Sequence, residues 1–176
     1  NDQFMMIENK YLLGKSDPNN NEFDVLLFVN RDIEEISIPS NIKIIATCAF
    51  HLCKKLRKVD FQTNSNLQII GEYTFSELNI EEISIPPSVT KICSYAFQNC
   101  VNLAKIEFPT NSNLNTIELN AFAESEIKEI NFPANLKELQ KKWCFRTRNL
   151  TKITISPKND QFMMIENKYL LGKSDP

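Results

Sequence analysis

Hydrophobic and polar positions along the chain follow one short pattern, which returns every 23 or 24 residues. An apolar residue is followed by two more, three and five positions later, with polar residues between. Alternation with a period of two and many β-branched residues predict a short strand that buries one face. The six copies begin at Ile33, Leu56, Ile80, Leu103, Ile127 and Leu150. Because so short a strand is unstable alone, the repetition predicts strands stacked side by side in a parallel sheet.

An aromatic-centred segment recurs in the second half of the repeats. It places an isoleucine at positions 45, 70, 92 and 117 and a phenylalanine at positions 50, 75, 97 and 122. We predict that each segment forms a short helical or 3₁₀ turn, which fills the interior from the convex side. Strand and helical turn together predict an α/β solenoid with its parallel β-sheet on the concave face.

The strand and the segment after it combine into the motif LxxIxIPxxVxxIxxxAFxxCxxL. Residues 80–103, IEEISIPPSVTKICSYAFQNCVNL, match it almost position for position, and the chain therefore resembles the BspA-like leucine-rich repeat family. The resemblance covers residues 33–156 and implies a leucine-rich-repeat solenoid on a cell surface, in a family associated with adhesion. In the fifth copy Trp143, Cys144 and Phe145 replace the AFxxC box, so we expect that turn to pack differently.

Residues 1–32 do not fit the repeat. They contain two apolar runs around the stretch KSDPNNNE, which is a turn by composition. We predict a β-hairpin or a pair of strands here; a helix over residues 23–29 is the weaker alternative, because valine and phenylalanine favour strand. The segment resembles the hairpin insertions in surface antigens of trichomonad parasites. Its apolar residues either make exposed contacts or, as we favour, close the core; they are Phe4, Met5, Met6 and Tyr11.

The sequence of residues 1–18 returns unchanged as residues 159–176, displaced by 158 positions. The other repeats have diverged, so drift from a merely similar ancestor does not explain an unchanged stretch. Either the native protein is a tandem array of 158-residue units, or the chain is one period of a continuous structure whose edges overlap. We therefore divide the chain into a hairpin insertion at 1–32 that joins repeat blocks, six repeats at 33–156, and the start of the next insertion at 157–176.

Composition excludes several classes of function. The 176 residues are 42% apolar, which suffices for one extended core. A net charge of −2 argues against nucleic-acid binding, and the absence of 18 consecutive apolar residues argues against a membrane span. With three glycines, the sequence offers no loop to cradle a phosphate. It carries no catalytic motif either, so we predict neither enzymatic activity nor a cofactor.

Outward-facing positions of the six strands form the predicted concave binding face. One position alternates strictly between Glu and Lys, and the next outward position is acidic, small or polar. The twelve residues are Glu35, Ser37, Lys58, Asp60, Glu82, Ser84, Lys105, Glu107, Glu129, Asn131, Lys152 and Thr154. Strands about 4.8 Å apart give each Glu a Lys neighbour. Two interpretations remain: a patterned binding face without an exposed aromatic anchor, or a ladder of exposed ion pairs that keeps the sheet soluble and in register, which we favour.

The cysteines and the single histidine predict packing rather than chemistry. Cys53 and Cys100 hold equivalent places two repeats apart, about 10 Å between Cα atoms and beyond disulfide reach. We expect buried thiols, with a Cys48–Cys53 disulfide as the less favoured alternative. His51 lies beside them without a CxxC pair or a third group, which predicts neither a metal site nor a nucleophile. Asn149 begins a sequon for N-glycosylation, Asn-Leu-Thr.

Two compatible hypotheses about function follow, both placing the protein at the cell surface or outside the cell. The family resemblance implies an adhesive module that binds protein or glycan partners on host or microbial surfaces. The repetition at 158 residues favours a structural protein whose units stack end to end into a rod or filament, since the Glu and Lys alternation continues from Lys152 to the next Glu35. A long array would also repeat a binding surface and gain avidity.

Overall fold

The structure is a computed structural model that describes residues 3–19, 21–166 and 169–172. Three strands precede the repeats: β1 (Phe4–Ile7), β2 (Tyr11–Gly14) and β3 (Val25–Val29). The strands of the repeated motif are β4 (Glu35–Ile38), β6 (Lys58–Phe61), β8 (Glu82–Ser84), β10 (Lys105–Glu107), β12 (Glu129–Phe132) and β14 (Lys152–Ile155). Alternating with them are β5 (Ile44–Ile45), β7 (Ile69–Ile70), β9 (Lys91–Ile92), β11 (Thr116–Ile117) and β13 (Glu138–Leu139). The chain continues with β15 (Phe162–Ile165) and β16 (Tyr169–Gly172).

The motif strands pair in parallel, with equivalent positions opposite each other. Ile36 faces Val59 across β4 and β6, and Ile83 faces Ile106 across β8 and β10. The hydrogen-bonded ladder joins β4 to β6 and, separately, β8 to β10, β12 and β14. This side of the solenoid therefore consists of two neighbouring parallel sheets.

The second half of each repeat corrects the α/β prediction, because the described part of the chain contains no helix. Two-residue strands form a second parallel sheet, followed by turns in which two residues, four positions apart, have φ between 51° and 66°. The pairs are Cys48 and Leu52, Tyr73 and Glu77, Tyr95 and Asn99, Asn120 and Glu124, and Lys142 and Arg146. An L-residue in this left-handed conformation ends a helix, so two in each turn prevent one.

Hydrogen bonds between repeats explain why turns replace the predicted helix. The Phe75 N–H donates to the Ala96 carbonyl at 2.8 Å, and the Phe97 N–H donates to the Ala121 carbonyl at 2.8 Å. In an α-helix the same N–H groups would bond four residues back along their own segment. Lateral bonding satisfies the backbone while it joins successive repeats. The fold is thus a β-solenoid with the leucine-rich-repeat pattern.

A column of phenylalanine rings fills the interior. Phe50, Phe75, Phe97 and Phe122 are fully buried, and successive ring centroids lie 4.9, 5.2 and 5.3 Å apart. The N–H groups of Phe75 and Phe97 donate to the carbonyl of the residue just before the next phenylalanine. In the fifth copy the Phe122 N–H donates to the Trp143 carbonyl, so the residue after Trp143, Cys144, occupies the backbone position of the next phenylalanine. The Trp143 ring instead meets Phe122 edge-on, with centroids 6.3 Å apart. The prediction that this turn packs differently is confirmed.

Residues before the first repeat extend the second sheet. β1, β2 and β3 pair in an antiparallel arrangement, β3 then pairs in parallel with β5, and the alternative of a helix over 23–29 is wrong. Ser16 stabilises the connection between β2 and β3, because its backbone N–H and its Oγ donate hydrogen bonds to the buried Asp24 carboxylate at 2.8 and 2.7 Å. Lys43 Nζ lies 3.1 Å from the same carboxylate. Burial alone would raise the pKa of Asp24, but these bonds outweigh it and lower the pKa.

Where the structure describes it, the second occurrence of the duplicated sequence pairs its two strands in the same way as the first; residues 1, 2, 167, 168 and 173–176 of the two copies lie outside the described residues. β15 and β16 pair antiparallel with Phe162 opposite Gly172, just as Phe4 stands opposite Gly14. β15 lies against β14, the last of the repeat strands described above. The first hairpin thus extends the sheet of two-residue strands at the beginning of the solenoid, whereas the second lies against β14, a strand of the repeated motif, at its end.

Candidate functional site

The twelve residues predicted for the binding face lie on one side of the solenoid. Thr154 is half-buried and the other eleven are exposed, because the residues alternating with them point into the core. We call the twelve residues together the charged face. Where its strands pair, a Glu stands opposite a Lys: Glu35 faces Lys58, Lys105 faces both Glu82 and Glu129, and Glu129 faces Lys152.

Ion pairs on the charged face run mostly along a strand rather than across strands. Lys58 pairs with Asp60 at 2.7 Å and Lys105 with Glu107 at 2.6 Å, each within its own strand. Lys152 pairs across strands with Glu129 at 2.9 Å. Hydrogen bonds raise the pKa of Lys105 and lower that of Glu107, which also accepts from Ser84 Oγ at 2.9 Å. Both charges of the pair are therefore stabilised over the neutral pH range.

A groove of about 1420 Å³ crosses the middle of the charged face, between β6, β8 and β10. Seven of the twelve predicted residues line it: Lys58, Asp60, Glu82, Ser84, Lys105, Glu107 and Asn131. The structure does not bring the remaining five into the groove: Glu35, Ser37, Glu129, Lys152 and Thr154. The groove coincides with the interruption between β6 and β8, where the two sheets meet without a ladder. Its walls offer paired charges, hydroxyl groups and amides to a polar partner.

Sequence reasoning missed several residues that line the same groove. Phe61 and Phe108 are half-buried there, although they were expected only as interior residues of their strands. The turn at residues 62–65 also lines the groove, and Asn64 within it has a φ of 59°. The motif TNSN, which recurs at residues 110–113, is the sequence signal for this turn. The groove thus adds apolar and amide surface to the predicted charges.

The cysteines are free thiols, as the preferred prediction had it, and the Cys48–Cys53 disulfide is absent. Burial raises the pKa of Cys100 to about 12 and that of Cys93 to about 11, so both stay protonated. Among the residues that the structure describes, no three His, Cys, Asp or Glu side chains lie close enough to hold a metal ion. Asn149 is exposed and donates a hydrogen bond to Glu126.

None of the described segments forms an apolar helix of the length that crosses a bilayer. Solved structures of bacterial leucine-rich-repeat proteins resemble the fold. The pneumococcal vaccine antigen PcpA superposes with a TM-score of 0.76 at 29% identity, over 80% of this chain and 34% of that one. The Treponema pallidum leucine-rich-repeat protein TpLRR gives a TM-score of 0.71 at 22% identity, over 84% of this chain and 70% of that one.

A leucine-rich cell surface protein of Faecalibacterium prausnitzii matches with a TM-score of 0.63 at 19% identity, over 97% of this chain and 56% of that one. The chain therefore spans about a third of the pneumococcal antigen and just over half of the Faecalibacterium protein. No curated protein sequence matches it. The sequence profile of the BspA type leucine-rich repeat region matches residues 22–151 in six copies. The chain therefore belongs to the family of BspA-type leucine-rich repeat proteins.

Proposed function

We propose that the protein is a cell-surface or extracellular binding module that holds protein or glycan partners on its charged face, without catalysis. The groove across β6, β8 and β10 carries this proposal, because it is the place where the face departs from a regular ladder. Membership in the BspA-type family supports it, as do similar proteins described as a vaccine antigen and a cell surface protein.

The chemistry of the groove favours a polar partner without a large net charge. Lys58 and Lys105 each pair with an acid on their own strand, and Glu82 lies between the two lysines. Hydroxyl groups of a sugar, or the backbone and polar side chains of a protein, can exchange hydrogen bonds with such pairs. The half-buried rings of Phe61 and Phe108 add apolar surface for stacking.

A charge swap tests the groove without removing its ion pair. Lys105→Glu combined with Glu107→Lys keeps the net charge and the pair but reverses its direction. The control is Lys54→Glu combined with Glu77→Lys, since that exposed pair spans 2.7 Å and lies outside the groove. Binding is measured against a glycan array and a panel of extracellular-matrix proteins. We expect the groove swap to reduce binding at least tenfold and the control to leave it unchanged; equal loss in both variants, or in neither, contradicts the proposal.

A second candidate function is a structural tandem array built from 158-residue units. The observation that favours it is that the described strands of the two copies form two separate antiparallel pairs with the same register. Electron microscopy of native particles, together with the mass of the intact chain, tests this candidate. Rods with an axial repeat of one unit support the array, whereas short arcs with a chain mass near 20.4 kDa contradict it.

A further inference from the structure

Two tyrosines from successive turns form a stacked pair at the surface, in the middle of the solenoid. Tyr73 follows β7 and Tyr95 follows β9, and their ring centroids lie 4.7 Å apart with an angle of 3° between the ring planes. Both residues have a positive φ, 51° and 59°, at equivalent positions of their turns. The shared backbone conformation aims both side chains in the same direction, which accounts for the parallel rings.

Stacking explains the rings of this pair but not the two hydroxyl groups. Phenylalanine would supply the same ring surface, as Phe75 and Phe97 do in the interior of the same two turns. Among the residues that the structure describes, neither tyrosine hydroxyl has a hydrogen-bond partner. Tyr73 is 37% exposed and Tyr95 is half-buried, so reagents in solution reach the pair. The hydroxyl groups are therefore available for chemistry.

We propose that Tyr73 and Tyr95 form a site of oxidative cross-linking, at which a one-electron oxidant such as a peroxidase supplied with hydrogen peroxide joins their rings as dityrosine. The new bond connects the second turn of the solenoid to the third and fixes them side by side. The site is separate from the proposed binding site, because neither tyrosine lines the groove of the charged face. The extracellular setting proposed above is an oxidising one, while the reaction itself depends only on the pair and the oxidant.

The stacked geometry suits the coupling step. Each phenol gives one electron to the oxidant and one proton to water and becomes a neutral phenoxyl radical, whose unpaired electron is shared among the oxygen and the ortho and para carbons. The π orbitals of the facing rings point toward each other, so two ortho carbons can share their unpaired electrons in a new C–C bond. Each of these carbons then loses its hydrogen as a proton, and each oxygen regains one. The product lacks two hydrogen atoms, and the hydrogen peroxide that accepted two electrons and two protons becomes two water molecules.

A neighbouring thiol can divert the reaction. Cys48 holds the position in the first turn that Tyr73 holds in the second, and it is a half-buried free thiol. Burial is the main reason why the pKa of the Tyr73 hydroxyl is raised, and the nearby Cys48 adds to the rise. A thiol returns a hydrogen atom to a phenoxyl radical and so restores the tyrosine. We therefore expect Cys48→Ser to increase the yield of dityrosine.

The test oxidises the full chain at low concentration with a peroxidase and hydrogen peroxide, and the monomer is then digested with trypsin. Cleavage after Lys91 separates the two tyrosines, so mass spectrometry should find one linked pair of peptides, lighter than their sum by two hydrogen atoms. Tyr73→Phe and Tyr95→Phe keep the rings and remove one hydroxyl each, and each should lower the yield at least tenfold. Tyr11→Phe is the matched control, because it removes a tyrosine outside the pair and should leave the yield unchanged.

Stability provides a second measurement. A cross-link between two turns restricts the unfolded chain, so the unfolding midpoint in urea should rise when the wild type is oxidised. The midpoint of Tyr73→Phe should not rise after the same treatment. Circular dichroism establishes that each variant is folded, and conversion of free tyrosine in a parallel sample establishes that the oxidant is active.

Two results would overturn the proposal. One is an oxidised monomer in which Tyr73 and Tyr95 remain unlinked in both the wild type and Cys48→Ser. The other is dityrosine of equal yield in the wild type and in Tyr73→Phe, since the bond would then join other residues. Linkage in Cys48→Ser alone supports the site and shows that the thiol protects the pair from oxidation.

Discussion

The rings of Phe97 and Phe122 stack with their centroids 5.3 Å apart and their planes inclined by 16°. They come from successive repeats, so this contact joins neighbouring turns of the solenoid through the core. Each ring also has a neighbour on its other side, Phe75 below and Trp143 above. A ring removed from the column would therefore break two contacts between repeats at once.

Phe97→Ala should destabilise the protein by about 3–5 kcal/mol, the usual cost when a buried phenylalanine leaves a cavity. Phe97 is fully buried, whereas Phe145, on the turn after the column, is 44% exposed. Phe145→Ala is the matched control and should change the stability by no more than about 0.5 kcal/mol. Urea unfolding, followed by the fluorescence of Trp143, measures the free energy of unfolding of both variants. If the two variants lose similar amounts, the column of rings does not make a special contribution to stability.

The repeat strands could be predicted from the sequence because their signal is local. Alternation fixed which residues of each strand face inward, and Ile36, Ile83 and Ile106 are indeed buried. The turn segments were predicted wrongly because their structure depends on neighbours. The Phe75 N–H finds its acceptor in the next repeat, and no local pattern of residues reports that bond.

The candidate site was predictable only in part, for the same reason. The alternation of apolar and polar residues in each strand predicted which residues point outward on the charged face. The interruption between β6 and β8 depends instead on how two successive repeats pack against each other. The half-buried edges of Phe61 and Phe108 at the groove depend on that gap. A pattern within one repeat therefore reports the composition of the face, while the shape of the groove needs the packed structure.

Substituting each of the three glycines by alanine should give a graded loss of stability. A Cβ on Gly71 would lie 2.6 Å from the Ile45 carbonyl oxygen, and backbone atoms cannot move aside. We expect Gly71→Ala to cost about 2–3 kcal/mol, as overpacking does. At Gly14 the Cβ would meet the Leu27 Cδ1 at 2.7 Å, a movable side-chain end, so Gly14→Ala should cost about 1 kcal/mol.

Gly172 is the control for this series, since its nearest neighbour, a ring atom of Phe162, would lie 3.3 Å away. None of the three glycines has a positive φ, so all the differences arise from packing. Gly172→Ala should change the stability by no more than about 0.5 kcal/mol. Thermal and urea unfolding of the three variants measure the order of their losses of stability. A loss in Gly172→Ala as large as that in Gly71→Ala would contradict the packing explanation.

Asp24→Asn should destabilise the protein by about 2–3 kcal/mol at neutral pH, because it removes a buried charge that accepts hydrogen bonds from Ser16 and Lys43. The pKa of Asp24 is lowered in the folded state, so its contribution is present above the unfolded-state value of about 3.8 and is lost as pH falls through the folded value. The difference between wild type and variant should therefore shrink below pH 4. Urea unfolding at pH 7 and pH 3 measures it, and Asp17→Asn on the exposed turn is the control. A difference that does not depend on pH would contradict the charged role of Asp24.

Native Cys93 and Cys100 should resist alkylation, because burial raises the pKa of these thiols to about 11 and about 12 and leaves almost no thiolate near pH 8. We expect iodoacetamide to modify each at least tenfold more slowly in the folded protein than in urea, as measured by peptide mass mapping. The same shift affects stability: folding favours the protonated thiol, so the contribution of Cys100 is complete below the ordinary thiol pKa of 9.0 and is lost as the pH rises toward about 12. The unfolding midpoint should fall less steeply over this range in Cys100→Ala than in wild type. Parallel profiles, or rapid native labelling of Cys100, would show that its thiol is not held in the apolar interior.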